Sequence, residues 1–155
     1  MCIRDRSNPD VSVNANGNFV VSYSGAGPVG NNDAFFATFQ ANGDPISGPL
    51  IASEAGNGSG FERNVQITLS DDDRVVAAWD DGNSIHLNTY DLNGTPLGSE
   101  RVVNFPSDVD SVQASSIDIN SDGLLALAFE STLAADASTE VRVLVVDIDL
   151  SLIHI

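Results

Sequence analysis

The side chains best suited to chemistry in this sequence carry oxygen and stand just before a glycine. Asp118, Asn120 and Asp122 precede Gly123 in the pattern Asp-x-Asn-x-Asp-Gly, which opens many calcium-binding loops. Calcium binds several oxygen ligands at ~2.3–2.6 Å, and glycine permits the sharp bend that such a loop needs. The glutamate that closes an EF-hand loop would fall at Phe129. The pattern therefore predicts either a calcium site or a plain hairpin turn, in which the glycine supplies only the backbone conformation.

Two further acidic groups are weaker metal candidates. Residues 71–73 are three consecutive aspartates, and Asp80 and Asp81 precede Gly82. Short Asp-rich segments with glycine are typical of turns. We expect both groups to be solvated turns, with metal binding as the alternative.

A catalytic centre is not evident from the residue types. His86 alternates with apolar neighbours on a predicted strand, which indicates a surface or strand-pairing histidine rather than a base. No Gly-x-Ser-x-Gly motif accompanies it, and the absence of lysine excludes a phosphate-binding P-loop. A carboxylate pair for glycoside hydrolysis stays open, because separation in space decides it. The sequence thus predicts no enzyme activity for this segment.

The charge balance constrains partners and location. The 155 residues include 22 acidic and six basic side chains, giving a formal charge of −16. Such acidity disfavours nucleic acids and anionic membranes, and no apolar run approaches the ~20 residues of a membrane span. We expect an extracellular or cell-surface location, with further repeats of a parent protein, surface proteins or glycans as partners.

An internal repeat organises the chain. Aromatic residues Tyr23, Trp79 and Phe129 end three similar apolar runs at spacings of 56 and 50 residues. Each run follows a short alternating segment and a turn, at residues 16–17, 72–73 and 122–123. Alternation, a turn and a second β-rich run together indicate a hairpin. The shared aromatic position favours packing between repeats over a sugar-binding platform.

A second hairpin follows the first in each repeat. Aromatic or apolar strands at 35–39 and 85–90 lead to Asn42-Gly43 and Asn93-Gly94, and residues 141–149 form the third copy. The polar segment 131–140 predicts a loop. Four strands every ~50 residues are typical of a β-propeller blade. We predict an all-β partial propeller of about three four-stranded antiparallel blades; the alternative is tandem small β-sandwich modules, which usually need ~100 residues each.

Both ends of the chain look foreign to the repeats. Residues 1–6 and 150–155 can be back-translated into complementary strands of one DNA sequence, and both resemble the transposon end used in sequencing libraries. A short basic leader and an apolar final strand are the alternative. We expect native repeat units at about 8–55, 56–104 and 105–149, cut from a longer reading frame.

The repeats resemble a family of bacterial extracellular repeats of about fifty residues, found in large secreted or adhesin-type proteins. The matching segments are residues 9–13, 17–23, 90–98 and 103–104, whereas Asp73-Arg74 replaces a Gly-Gly turn and the third unit lacks the proline and tryptophan. The resemblance implies propeller-like blades, frequently in calcium-rich secreted proteins. We therefore expect a non-catalytic structural or interaction module; the alternative is a fragment of a β-propeller hydrolase or lyase.

Overall fold

The computed structural model describes residues 6–28, 31–53, 61–105, 107–147 and 152–153. Over this range the chain is all-β and contains no helix, hence none that could cross a membrane. Its strands form three four-stranded antiparallel sheets, which we call blades 1 to 3. Blade 1 contains β1 (Arg6–Val13), β2 (Phe19–Ala26), β3 (Asn32–Phe39) and β4 (Leu50–Ile51). Blade 2 contains β5 (Arg63–Leu69), β6 (Val75–Asp80), β7 (Ser84–Tyr90) and β8 (Arg101–Asn104). Blade 3 contains β9 (Val109–Ile119), β10 (Leu124–Leu133), β11 (Thr139–Asp147) and β12 (Leu152–Ile153).

Each blade is a meander in which consecutive strands pair. The first strands of successive blades pack against each other, β1 on β5 and β5 on β9, while the fourth strands lie at the sheet edges. This arrangement confirms the partial propeller with four-stranded blades. The tag-like residues 1–5, 150–151 and 154–155 lie outside the described residues, as does the repeat boundary at 55–56, so those assignments stay predictions.

The turn between the first two strands is the same in all three blades. The carbonyls of Asn14, Ser70 and Asn120 accept hydrogen bonds from the amides three residues later, at 2.9, 3.1 and 3.1 Å. The donors are Gly17, Asp73 and Gly123, with φ of 81°, 66° and 81°. The positive φ explains why two of these positions are glycine. Asp73 adopts the same left-handed conformation although it has a side chain. This conformation costs aspartate less free energy than it costs most other residues with a side chain.

The first strand of each blade also carries a β-bulge. Pairing with the second strand shifts register between Ser7 and Asp10, between Arg63 and Gln66, and opposite Ala128 and Phe129. A bulge adds one residue and bends the strand locally. The bulged ends of β5 and β9 lie beside the cleft described below.

The hydrophobic core lies between the blades. One face of blade 2 contributes Trp79 and Tyr90 to a cluster with Phe36 of blade 1. Its other face contributes Ile85 and Leu87 to a cluster with blade 3. Every residue of β6 is consequently buried.

The shared aromatic position is only partly a core position. Trp79 and Phe129 are buried between blades, as predicted. Tyr23 instead is half-buried on the outer face of blade 1, stacked on Phe35 at a centroid distance of 5.4 Å.

Candidate functional site

The residues predicted to bind calcium lie at the β9–β10 turn. Asp118 is the second-last residue of β9, and Asn120 and Asp122 are in the turn; all three are exposed. The Asn120 Oδ1 atom accepts the amides of Asp122 at 3.0 Å and Leu124 at 2.9 Å, which is the geometry of an Asx turn. Across the described residues, no three His, Cys, Asp or Glu side chains are grouped as metal ligands. The calcium site stays a prediction.

We expected the acidic turn 71–73 to be solvated. Instead, its side chains form hydrogen bonds with blade 1. The Asp71 carboxylate accepts the amide of Ala15 at 2.9 Å. The Asp73 Oδ1 atom accepts the side-chain amides of Asn14 at 2.7 Å and Asn18 at 3.3 Å. These hydrogen bonds join the first turns of blades 1 and 2 and offset the strained backbone at Asp73.

The expectation that Asp80 belongs to a solvated turn is wrong. Asp80 is the last residue of β6 and is 1 % exposed. Its Oδ2 atom accepts the Asn64 side-chain amide at 2.9 Å and the Ala114 backbone amide of blade 3 at 3.1 Å. Burial raises the pKa of Asp80, and these hydrogen bonds oppose that shift. Asp80 therefore links blades 2 and 3 from a buried position.

A polar cleft of about 180 Å³ opens beside Asp80, between blades 2 and 3. We call it the blade 2–3 cleft. Its walls come from the bulged ends of β5 and β9 and from β10 and β11. The lining residues are Arg63, Asn64, Asp80, Gly82, Ser111, Val112, Gln113, Glu130, Thr132 and Thr139.

Two carboxyl groups of the cleft share one repeat position. Asp80 pairs with Ile85 across β6 and β7, and Glu130 pairs with Val141 across β10 and β11. Asp80 is buried whereas Glu130 is exposed. Carboxyl pairs in such different environments can divide acid and base roles. Because the Asp80 carboxylate already accepts two structural hydrogen bonds, the cleft is better arranged to bind a polar ligand than to transfer a proton.

Arg63 provides a positive charge at the rim of the cleft. Its guanidinium donates to the Asp81 carbonyl at 3.2 Å and lies against Gly82, where a Cβ atom would come within 2.4 Å of Nη2. Gly82 has a φ of 95°, a backbone conformation that favours glycine. The Gly82 carbonyl accepts the Val112 amide at 3.0 Å, which ties this loop to blade 3.

His86 lies on the opposite face of blade 2 from the cleft. Its ring stacks on Trp79 across the strand pair at 5.6 Å, and Nδ1 is 2.7 Å from Glu100 Oε1. Nε2 is 3.4 Å from Asp81 Oδ2. His86 thus pairs with Trp79 across β6 and β7. Although burial raises the pKa of Asp81, hydrogen bonds from the Asn83 and Ser84 amides and from His86 hold it below its usual value.

The junction between blades 1 and 2 buries another carboxyl group. Glu62 Oε2 accepts the Ala34 amide at 2.9 Å, and the Glu62 amide donates to the Asn32 carbonyl at 2.9 Å. Burial raises the pKa of Glu62. Glu62, in the segment just before β5, and Asp80, at the end of β6, thus each link two successive blades through a buried carboxyl group.

The comparisons with known proteins concern the fold. No family model matches the sequence, and no curated protein matches it. Among solved structures, the Hadza microbial sialidase Hz136 superposes with a TM-score of 0.66 at 11% identity, covering 92% of this chain and 35% of that protein. A GH130 structure, from a study of glycoside hydrolases that target beta-1,2 mannosidic linkages in Candida mannan, gives 0.63 at 16% identity, covering 96% and 50%. The catalytic domain of the Coprinopsis cinerea GH62 alpha-L-arabinofuranosidase gives 0.53 at 14% identity, covering 95% and 47%.

These structural similarities place the chain in the class of β-propeller folds. At identities of 11–16% they define the fold and not the function. The chain spans between a third and a half of the length of the structures that it matches.

Proposed function

We propose that this chain is part of a β-propeller protein that acts on carbohydrate, and that the blade 2–3 cleft binds a neutral sugar. The observation that carries this proposal is the cleft itself. Hydroxyl, amide and carboxyl groups converge there from Thr132, Gln113 and Glu130, and sugars are recognised by such hydrogen-bonding groups. The three propeller structures described above come from proteins that act on glycosides, which supports carbohydrate as the ligand class.

The charge of the cleft favours a neutral sugar over an acidic one. Arg63 is the cation among the described lining residues, against the carboxyl groups of Asp80 and Glu130. The whole chain carries a formal charge of −16, which repels anions over the Debye length of ~8 Å at physiological salt. A mannoside or an arabinofuranoside therefore fits better than a sialic acid.

Within the described cleft the buried carboxyl group of Asp80 already accepts two hydrogen bonds from the protein, so we assign this chain one wall of the binding site. In this proposal the reacting groups come from other blades of a longer protein.

The second candidate is a non-catalytic structural module of a secreted or cell-surface bacterial protein. The observation that favours it is the use of polar side chains as links between blades. Asp10 and Ser12 of β1 accept the amides of Ile67 and Leu69 at 3.0 Å each. Polar side chains that form hydrogen bonds between blades stabilise the repeat array, and few hydrogen-bonding groups then remain to bind a ligand.

Titration of the ¹⁵N-labelled chain with oligosaccharides separates the two candidates. The probes are β-1,2-mannobiose, an arabinofuranosyl-substituted oligosaccharide and sialyllactose. We expect amide shifts confined to the cleft residues with the neutral sugars, at a Kd of about 1 mM, and weaker shifts with sialyllactose.

A matched pair of variants locates the binding site. Glu130→Gln removes a charge from the cleft, whereas Glu140→Gln removes a charge from an exposed residue paired with Arg142 at 3.2 Å. Sugar affinity should fall at least threefold in Glu130→Gln and stay unchanged in Glu140→Gln. If no cleft amide shifts with either neutral sugar, the carbohydrate proposal fails and the structural module is favoured.

A further inference from the structure

The turn between β6 and β7 joins the blade 2–3 cleft to the opposite face of blade 2. It consists of residues 81–83 only. Asp81 makes contacts on both sides of this turn. Its backbone carbonyl accepts the Arg63 guanidinium at 3.2 Å, and its Oδ2 atom lies 3.4 Å from His86 Nε2. A single residue therefore connects a side chain that lines the cleft with a side chain that lies outside it.

The conformation of the turn depends on the Asp81 carboxylate. Its Oδ1 atom accepts the amides of Asn83 and Ser84, both at 2.8 Å, and the Asp81 amide donates to the Ser84 carbonyl at 3.3 Å. These bonds fix one oxygen of the carboxylate, and the contact with His86 fixes the other. Because the carbonyl that faces Arg63 belongs to the same residue, its direction depends on how firmly the turn is held.

His86 is itself well fixed, so it can anchor the turn. Its ring stacks on Trp79 with an interplanar angle of 12°, and Nδ1 lies 2.7 Å from Glu100 Oε1. The side chains of His86 and Glu100 are each only 17 % exposed. In its protonated form an imidazole donates from both nitrogens. The ring can therefore join the carboxyl groups of Glu100 and Asp81.

The order of the Arg63 side chain depends on this turn. An arginine side chain has many rotamers and loses that freedom when it binds, so a guanidinium that is ordered beforehand binds at a lower entropic cost. The Asp81 carbonyl fixes the guanidinium on one side, and Gly82 lies against Nη2. A guanidinium has five N–H donors, which is more than one carbonyl can accept. Arg63 is thus held at the rim as a donor for sugar hydroxyl groups.

We propose that His86 is a positioning residue of the blade 2–3 cleft. Anchored by Glu100, it holds Asp81, and the Asp81 carbonyl holds Arg63 in the conformation that binds the sugar. The identity of the ligand rests on the proposed function, whereas the positioning of Arg63 is a property of the free protein. His86 contacts no ligand in this arrangement, because it lies on the opposite face of blade 2 from the cleft.

Three variants of His86 separate the two contacts of its ring. In His86→Gln the side-chain nitrogen is as many bonds from the backbone as Nε2, so a donor to Asp81 is kept. In His86→Asn the side chain reaches only as far as Nδ1, so it can contact Glu100 but not Asp81. His86→Phe keeps the stack on Trp79 and loses both nitrogen contacts. We expect only His86→Gln to preserve the position of Arg63.

Rotation of the Arg63 guanidinium about its Nε–Cζ bond, measured by ¹⁵N NMR, reports this position without any ligand. The rotation should be about three- to tenfold faster in His86→Phe and His86→Asn than in the wild type, the factor that corresponds to one lost hydrogen bond. It should be close to the wild-type rate in His86→Gln. The guanidinium of Arg142, which is paired with Glu140 on blade 3 at 3.2 Å, is the internal control and should rotate at one rate in all four proteins.

Titration of the same four proteins with β-1,2-mannobiose connects the position of Arg63 to binding. Affinity should fall about three- to tenfold in His86→Phe and His86→Asn and stay within about twofold of the wild type in His86→Gln. The Ala34 amide, which donates to Glu62 between blades 1 and 2, should keep its chemical shift in every variant, because the blades remain folded.

Two results would overturn the proposal. The first is an Arg63 rotation rate that is the same in the wild type and in His86→Phe. The second is a His86→Gln variant in which Arg63 rotates as fast as in His86→Asn, because the effect would then not pass through Asp81. If the wild type binds no sugar, the proposed function fails, while the rotation rates still decide whether His86 positions Arg63.

Discussion

Asn8 and Asn64 occupy the same position of successive repeats, and the Nδ2 atom of Asn8 donates to Oδ1 of Asn64 at 2.9 Å. Both residues lie in the bulge of a first strand with a φ of 51°. Asn64 in turn donates to Asp80, which accepts the Ala114 amide. A continuous line of polar contacts thus crosses all three blades beside the cleft. Asparagine fits this position because it tolerates the left-handed conformation and also carries a donor and an acceptor.

Substitution of Asn64 should separate the backbone cost from the hydrogen-bond cost. Asn64→Ala loses both side-chain hydrogen bonds and places a Cβ without compensation at positive φ, so we expect a loss of about 2–4 kcal/mol in the free energy of unfolding. Asn64→Gly loses the same hydrogen bonds but relieves the backbone, so its loss should be about 1 kcal/mol smaller. Urea denaturation measures both values. An alanine variant as stable as the glycine variant would show that the positive φ carries no strain.

Asp80 and Asp81 should respond to pH in opposite directions although they are neighbours. The folded-state pKa of Asp80 is raised from 3.8, so the stability that its protonated form adds is complete below 3.8 and is lost as the pH rises through the folded value. The folded-state pKa of Asp81 is lowered from 3.8, so its contribution is present above 3.8 and is lost as the pH falls through the folded value.

Matched asparagine variants test this pair. Relative to wild type, Asp80→Asn should gain stability as the pH rises above 3.8, because the wild-type protein loses its protonated form there. Relative to wild type, Asp81→Asn should gain stability as the pH falls below 3.8. Thermal unfolding of Asp80→Asn and wild type from mildly acidic to neutral pH measures the first stability difference. Thermal unfolding of Asp81→Asn and wild type at acidic pH measures the second. Parallel pH trends in the two variants would contradict the opposite environments of these residues.

The architecture could be predicted from the sequence because turn chemistry and alternation are local. Gly17 and Gly123, each following Asn or Asp, predict a turn with positive φ. The spacing of the aromatic residues predicts the repeat length. The polar segment 131–140, which we predicted to be a loop, is a loop only at residues 134–138, because β10 continues to Leu133 and β11 begins at Thr139. Pairing with a neighbouring strand extends each strand beyond its apolar residues.

The site was harder to predict because burial depends on neighbouring blades. Asp80 looks like a turn residue next to Asp81 and Gly82, yet blade 3 covers it. One signal was present in the sequence: Asn8 and Asn64 are 56 residues apart, the same spacing as Tyr23 and Trp79.

Trp79 and Tyr23 share a repeat position but should contribute differently to the free energy of unfolding. Trp79 is buried between blades 1 and 2, so Trp79→Ala should cost about 3–5 kcal/mol in the free energy of unfolding. Tyr23 lies half-buried on the outer face of blade 1, so Tyr23→Ala should cost about 1–2 kcal/mol. Urea denaturation of the two variants and of the wild type measures both losses. Equal losses would mean that the outer faces are as well packed as the internal junctions.

In the predicted calcium site at Asp118, Asn120 and Asp122, the Asn120 side-chain oxygen already accepts two amides and the Asp118 Oδ1 atom accepts the Ile119 amide at 2.9 Å, so calcium would bind through the remaining carboxylate oxygens. A cation that binds only the folded chain must raise its melting temperature, because it stabilises the folded state by a free energy that grows with the logarithm of the cation excess over Kd. We expect millimolar calcium to raise the melting temperature of the wild type but not of Asp122→Asn. Asp136→Asn, a change in the β10–β11 turn, serves as the control and should respond to calcium like the wild type. If calcium leaves the wild-type melting temperature unchanged, or if magnesium at the same ionic strength has an equal effect, the turn is a plain hairpin.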